Sequence, residues 1–264
     1  MPKVSIIMST YNNAEFITKA VESVLFQSFV DFEFIIINDN SSDNTEEKIK
    51  FFDDKRIIYI KNEENQGLIF NLNKGIEIAK GEYIARIDSD DWWLDKDKLQ
   101  KQVDFLDNNL NYALVGTWAK VYNIGNENLF NIVHPTNFSE IKTKMLIKSC
   151  FVHSSVLFRK DASLECGNYD MGEKYAEDYG LWLRMGEKYK LANISEYSVG
   201  YLLNEKGETQ KNNLRQIKAN LQLIKKHKFF YPNYFLGRSK WFLKYFVVFL
   251  GGLKIINKIK NKNL

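Results

Sequence analysis

Cysteine is scarce in this chain: Cys150 and Cys166 are the whole complement. Two thiols cannot build a disulfide framework, and with only three histidines (His134, His153, His227) they do not readily form a Cys/His zinc site. A reduced, cytoplasmic setting is the expectation. Three prolines and 14 glycines exclude collagen-like and linker-dominated chains. No apolar run reaches the roughly 18 residues of a spanning helix. Val4–Met8, directly after Met1-Pro2-Lys3, is too short for a signal-peptide core. The G-x-G-x-x-G and G-x-x-x-x-G-K-[ST] loops are missing, which disfavours dinucleotide and P-loop chemistry; H-E-x-x-H and G-x-S-x-G are missing too.

Acidic residues are also absent from the end of the chain. Glu208 is the last of 33, and 13 Lys/Arg follow it with no acid between them. Residues 1–208 therefore carry 24 bases against 33 acids, a net charge of −9, although the whole chain is +4. An acidic body (1–208) carries a basic tail (209–264). The 264 residues are 45% hydrophobic and 27% charged, which suits one domain with a large core plus an appendage.

Strand and helix patterns alternate through the first part of the body. Val4–Met8, Phe32–Ile37, Ile57–Ile60 and Tyr83–Ile87 are apolar runs suited to buried parallel strands. Ile17, Ala20, Val21, Val24 and Leu25 share one helical face. Ser42 or Asp43 is placed to cap a helix with Glu46 and Glu47 in its first turn. Gly67 precedes a helix over Leu68–Ala79, with Gly81 suited to a left-handed cap at its end. Beyond Ala113 the pattern loosens: short strands at Leu114–Trp118 and Val156–Phe158, then helices near Phe138–Lys148, Tyr179–Lys188 and Lys211–His227. This order predicts an α/β fold with a mainly parallel sheet covered on both faces.

In such a sheet, ligands bind beyond the carboxyl ends of the strands. Three of those ends carry polar or acidic clusters: Ser9–Asn13, Asn38–Asp43 and Asp88–Asp91. Clustered carboxylates repel unless a cation lies between them, and Mg²⁺ or Mn²⁺ is often held by one or two carboxylates plus substrate phosphates. A solvated, helix-capping loop is the alternative. Asp39 can accept from a base or a ribose hydroxyl, or simply make a turn. Asp178, in Glu177-Asp178, is either a helix N-cap or a general base kept ionised by the helix dipole.

Taken together, Val4–Asn12, Asn38–Asp43, Gly81–Asp91 and Glu177-Asp178-Tyr179 resemble the family 2 glycosyltransferases, inverting enzymes of the GT-A fold. The resemblance spans roughly residues 3–205. It implies a nucleotide-binding half to about 118 and an acceptor-binding half over 119–208. It places Thr10, Tyr11 and Asp39 on the nucleotide of a sugar donor, usually UDP, and Arg86 at a donor contact. Asp88 and Asp90 match the D-x-D motif, with Asp90 or Asp91 as the ligand of Mn²⁺ or Mg²⁺, and Asp178 matches the catalytic base. The resemblance also implies the chemistry: Asp178 deprotonates an acceptor hydroxyl, which displaces the nucleotide in one inverting step. Many relatives carry a His after the last core strand; here the stretch reads Tyr201-Leu202-Leu203-Asn204. His153 either lines the acceptor pocket or is structural.

The expected activity is transfer from a nucleotide sugar to a glycan or lipid-linked acceptor in bacterial surface polysaccharide synthesis. A nucleotidyltransferase of similar fold would open with a Gly-rich basic loop, which Ser9–Asn13 is not. A non-catalytic sugar-nucleotide binder would lack Asp178. The aromatic, basic segment 229–264 suits the surface of an anionic bilayer at the inner face of the plasma membrane. Packing on the body or on a second copy of the chain is the alternative. No nucleic-acid module accompanies the charge.

Overall fold

The computed structural model describes residues 1–204 and 212–250. The expected boundary at 208 and the Lys-rich end from 251 lie outside the described residues. Four strands run parallel in the order β3 (Ile57–Lys61), β2 (Phe32–Asn38), β1 (Val4–Thr10) and β4 (Tyr83–Arg86). The helices α1 (Ile17–Leu25), α2 (Thr45–Lys50) and α3 (Leu68–Ile78) make the crossovers. The sheet continues past β4 through β8 (Leu157–Arg159), β6 (Tyr112–Tyr122), β9 (Lys190–Leu202) and β5 (Trp92–Trp93). In this half only β6 and β9 are parallel, and β7 (Asn128–Ile132) pairs with the far end of β6.

The strands are apolar on both faces because both faces are covered. Val4, Ile6 and Met8 of β1, with Phe34 and Ile36 of β2, pack under α1 and under α4 (Lys98–Asn108). Ile7, Ile35 and Ile37 face the other way, toward α3. This is the period of two of an extended chain, with each set in its own core. The second core also takes α5 (Phe138–Lys144), α6 (Lys160–Glu165), α7 (Glu177–Lys188), α8 (Asn213–Lys226) and α9 (Tyr234–Phe249).

Several local expectations change. Gly81 is not a left-handed cap: α3 ends at Ile78 and Gly81 has no positive φ. Glycine is needed there because a Cβ would lie 2.5 Å from the Ser5 nitrogen, where β1 and β4 close. Asp43 lies one residue before the cap of α2, although it still accepts from the Thr45 amide (3.1 Å). The helix expected over Phe138–Lys148 stops at Lys144. The sequence patterns did not reveal α4, whose inner face (Lys98, Leu99, Gln102, Val103, Leu106) includes two polar side chains, or the 13-residue β9.

Candidate active site

The carboxyl ends of β1, β2 and β4 form one rim, and side chains stitch their loops together. Asn12 receives the Ser42 amide on its side chain (2.8 Å) and gives its own amide to the Ser41 hydroxyl (2.9 Å). The Ala14 amide donates to Asp43 (3.0 Å) and the Asn13 side-chain amide donates to Ser89 (2.7 Å). Asn12 and Asn40 adopt positive φ, 48° and 63°, which asparagine tolerates in tight turns.

Asp39 is buried at this rim and accepts from three donors. Its carboxylate accepts from Asn62 (2.8 Å) and from the amides of Gln66 (2.9 Å) and Gly67 (2.8 Å). It thereby pins the loop leading into α3, where Gly67 has φ 85°. Thr10 is equally buried, yet its hydroxyl finds no partner. The Tyr11 ring next to it is 52% exposed.

The three aspartates after β4 have three different environments. Arg86 is fully buried and reaches Asp88 at 2.5 Å, also donating to the Ile87 carbonyl. Burial works against the charge of Asp88, but Arg86, His153 and the Ser154 hydroxyl outweigh it and hold its carboxyl below the ordinary value. Asp91 turns inward. One oxygen accepts the Leu202 amide (2.9 Å), the other the Ser154 hydroxyl (2.5 Å), and burial together with Asp90 and Asp88 pushes its pKa well up. Asp90 accepts no side-chain hydrogen bond from another described residue. It is half-buried, and burial with the neighbouring Asp88 pushes it up to about 6.

Ser154 organises this loop. It belongs to a single 3-10 turn, His153–Ser155, and is fully buried. Its oxygen accepts the Asp88 amide (3.0 Å), and its hydroxyl lies against Asp91 and, at 3.1 Å, Asp88. Its carbonyl accepts the Trp93 indole N–H (2.9 Å). Sequence reasoning passed over it; the only signal was two adjacent serines in an apolar stretch. His153 donates to or accepts from the Tyr169 hydroxyl (2.9 Å) and lies edge-on to Trp182. Burial and the Arg86 charge lower its pKa to about 3, so the ring is neutral.

Glu177 and Asp178 face the same recess from the first turn of α7. The N-cap is Ala176, so Asp178 is not the cap. Burial raises Asp178 to about 6, with the Tyr179 amide opposing and Asp88 adding to the rise. Burial and the adjoining Asp178 raise Glu177 to about 7. Burial raises the pKa of Tyr201, near the end of β9, and the charges of Asp91, Asp88, Asp90 and Asp178 add to the rise, so all four lie within electrostatic reach of it. The turn into α7 is held from outside. Tyr175, at φ 75°, accepts from Arg215 of α8 (3.0 Å), and buried Glu173 pairs with Arg184 (2.5 Å) and Lys226 (3.0 Å).

The recess thus brings Asp88, Asp90, Glu177 and Asp178 within electrostatic reach of one buried guanidinium, with Asp91 turned inward beside them. The family model for glycosyl transferase family 2 matches residues 5–167. The chain belongs to glycosyltransferase family 2. An uncharacterised glycosyltransferase of Methanocaldococcus jannaschii is 38% identical over 208 residues, covering 76% of this chain and 70% of that protein. An Escherichia coli UDP-Glc:α-D-GlcNAc-diphosphoundecaprenol β-1,3-glucosyltransferase is 32% identical over 200 residues, covering 75% and 74%. The fold of this glycosyltransferase is GT-A. The Pyrobaculum calidifontis mannosyltransferase solved with GDP-Man and Mn²⁺ superposes with a TM-score of 0.68 at 16% identity, covering 93% of this chain and 70% of the other.

A divalent cation fits the donor set that faces the recess. Asp88 and Asp90 supply hard carboxylate oxygens, and a cation beside Asp90 would favour the ionised form that burial and the neighbouring Asp88 disfavour. Among the described residues no group of three His, Cys, Asp or Glu could hold a metal by itself. The remaining ligands would be substrate oxygens and water, the usual arrangement for Mg²⁺ at phosphates.

Proposed function

We propose that this glycosyltransferase moves a sugar from a UDP-sugar to a hydroxyl of a glycan or lipid-linked acceptor, with inversion and with a divalent cation, in bacterial surface polysaccharide synthesis. The observation that carries the reading is the recess itself: four carboxylates from two distant segments, Asp88, Asp90, Glu177 and Asp178, lie within electrostatic reach of one buried arginine. The E. coli relative, named for a UDP-Glc donor and a diphosphoundecaprenol acceptor, supports the donor and acceptor class. The mannosyltransferase solved with Mn²⁺ supports the cation.

In this reading the uracil lies against the exposed Tyr11 ring and the unpartnered Thr10 hydroxyl. Asp39 keeps the β2 and α3 loops in place and offers its remaining lone pair to the base or ribose. Arg86 works from behind, fixing Asp88 rather than reaching the donor, because its guanidinium already donates to Asp88 and to the Ile87 carbonyl. Asp90 is the carboxylate open to a cation, and Asp91, with both oxygens occupied, holds the loop in shape. A bound cation would supply a Lewis acid for the charge that develops on the departing diphosphate.

Asp178 is the base. With a pKa near 6 it is ionised at neutral pH yet basic enough to accept the acceptor's proton as attack proceeds. Glu177 beside it keeps its proton to about pH 7, which limits repulsion in the recess. The test is UDP release from a panel of UDP-sugars, with Mn²⁺ and with chelator. Turnover of one donor that stops on chelation is the expected result. Equal turnover with chelator removes the cation, and release from GDP-sugars alone removes the UDP assignment.

A further inference from the structure

We propose that the outward face of α9 docks on an anionic lipid bilayer. The helix has two unlike faces. Tyr234, Gly237, Trp241, Tyr245 and Val248, three or four residues apart, turn inward on the core. The approach is close: a Cβ on Gly237 would lie 2.2 Å from the Leu146 carbonyl oxygen, and the Asn233 side chain donates to the Thr143 carbonyl (2.9 Å). The opposite face carries Phe235, Phe242 and Phe249 at seven-residue spacing, with Leu236, Leu243, Phe246 and Leu250 beside them. Each of these seven is at least 41% exposed.

Charge decides what covers this stripe. At 100° per residue, Arg238 borders it on one side and Lys240 and Lys244 on the other. No acid follows Glu208, so nothing in the tail offsets them. Apolar side chains centred between long cationic ones match a bilayer interface, where the chains enter the acyl boundary and the cations reach anionic headgroups. A second copy of the chain is a poorer match, because a two-fold contact across the stripe would set like-charged borders against each other. Among the described residues no helix is long and apolar enough to cross a membrane, so α9 would lie in the interface.

The full chain is floated with vesicles of phosphatidylcholine alone and with about 30% phosphatidylglycerol, without any sugar donor. Expected is at least tenfold stronger binding to the anionic vesicles, weakened by salt. Leu243→Glu/Phe246→Glu should abolish it with the melting temperature unchanged. Arg238→Gln/Lys240→Gln should weaken it roughly 25-fold, at about fivefold per cation. Binding that survives Leu243→Glu/Phe246→Glu overturns the proposal. So does failure to bind either vesicle, or a solution dimer that the same double variant dissociates. UDP release is measured separately, so loss of one result leaves the other standing.

Discussion

Replacing Ser154 with alanine removes one oxygen that serves two aspartates. The buried Asp88 amide loses its acceptor, at a cost of about 1–3 kcal/mol. The Asp91 carboxyl, whose pKa is pushed well up, loses a short hydroxyl donor, at about 0.5–1.5 kcal/mol for a typical hydrogen bond. Asp91 keeps the Leu202 amide and can take up a proton, which limits the loss. A total near 3 kcal/mol is expected, or a fall in melting temperature of roughly 6–12 °C for a chain of this size. Stability alone does not distinguish a positioning role from a packing one, so the second readout is the Mn²⁺ concentration that half-saturates UDP release. Loss of a group that orients metal-binding carboxylates typically costs 10–100-fold in metal affinity or activity. Thermal melts and a Mn²⁺ titration of Ser154→Ala would settle both. A melting temperature within 2 °C of wild type, or an unchanged Mn²⁺ titration, would refute the argument that Ser154 sets the Asp88–Asp91 loop.

Asp178→Asn should lower turnover about 10²–10⁴-fold with donor KM nearly unchanged, measured by UDP release. The same change should stabilise the fold in a pH-dependent way. The folded pKa of Asp178, about 6, lies above the unfolded value of about 3.9, so the native state holds a proton that the unfolded chain has released. That site costs stability as pH rises from about 4 to 6, and Asp178→Asn should exceed wild type by on the order of 3 kcal/mol at pH 7.5 and by only about 0.5 kcal/mol at pH 4. Equal melting temperatures at pH 7.5 would contradict the assignment. Wild-type turnover should fall as pH drops through about 6, and a rate flat from pH 5 to 8 would exclude Asp178 as the titrating base. Asp39→Ala, which orphans the Gln66 and Gly67 amides, should destabilise by about 2–4 kcal/mol in urea melts and weaken UDP binding. Gly81→Ala should cost about 1–3 kcal/mol by overpacking against Ser5, and a neutral result would show that the β1–β4 contact yields.

The elements legible in the sequence are those whose pattern is local. The apolar strands β1, β2 and β4, the amphipathic α1 and the polar or acidic residues closing each strand follow from side-chain period and turn chemistry alone, and they suffice to specify an α/β sheet with a polar rim. The helix α4 escaped notice because Lys98 and Gln102 are buried on its inner face, where Gln102 bonds the Val115 and Ser155 carbonyls. A polar residue facing the core has no local signature.

The aspartates after β4 divide along the same line. Their presence, their order and the charge they bring were readable from the chain. Which of them faces the recess was not, because Asp91 is drawn inward by the Leu202 amide, 111 residues away, and by Ser154, 63 away. Likewise the sequence supplied an aromatic, basic tail, but only packing on Leu146 and Thr143 chose which face of α9 is hidden. Composition and period act between neighbours along the chain, whereas the direction of a carboxylate depends on donors that only folding brings near it.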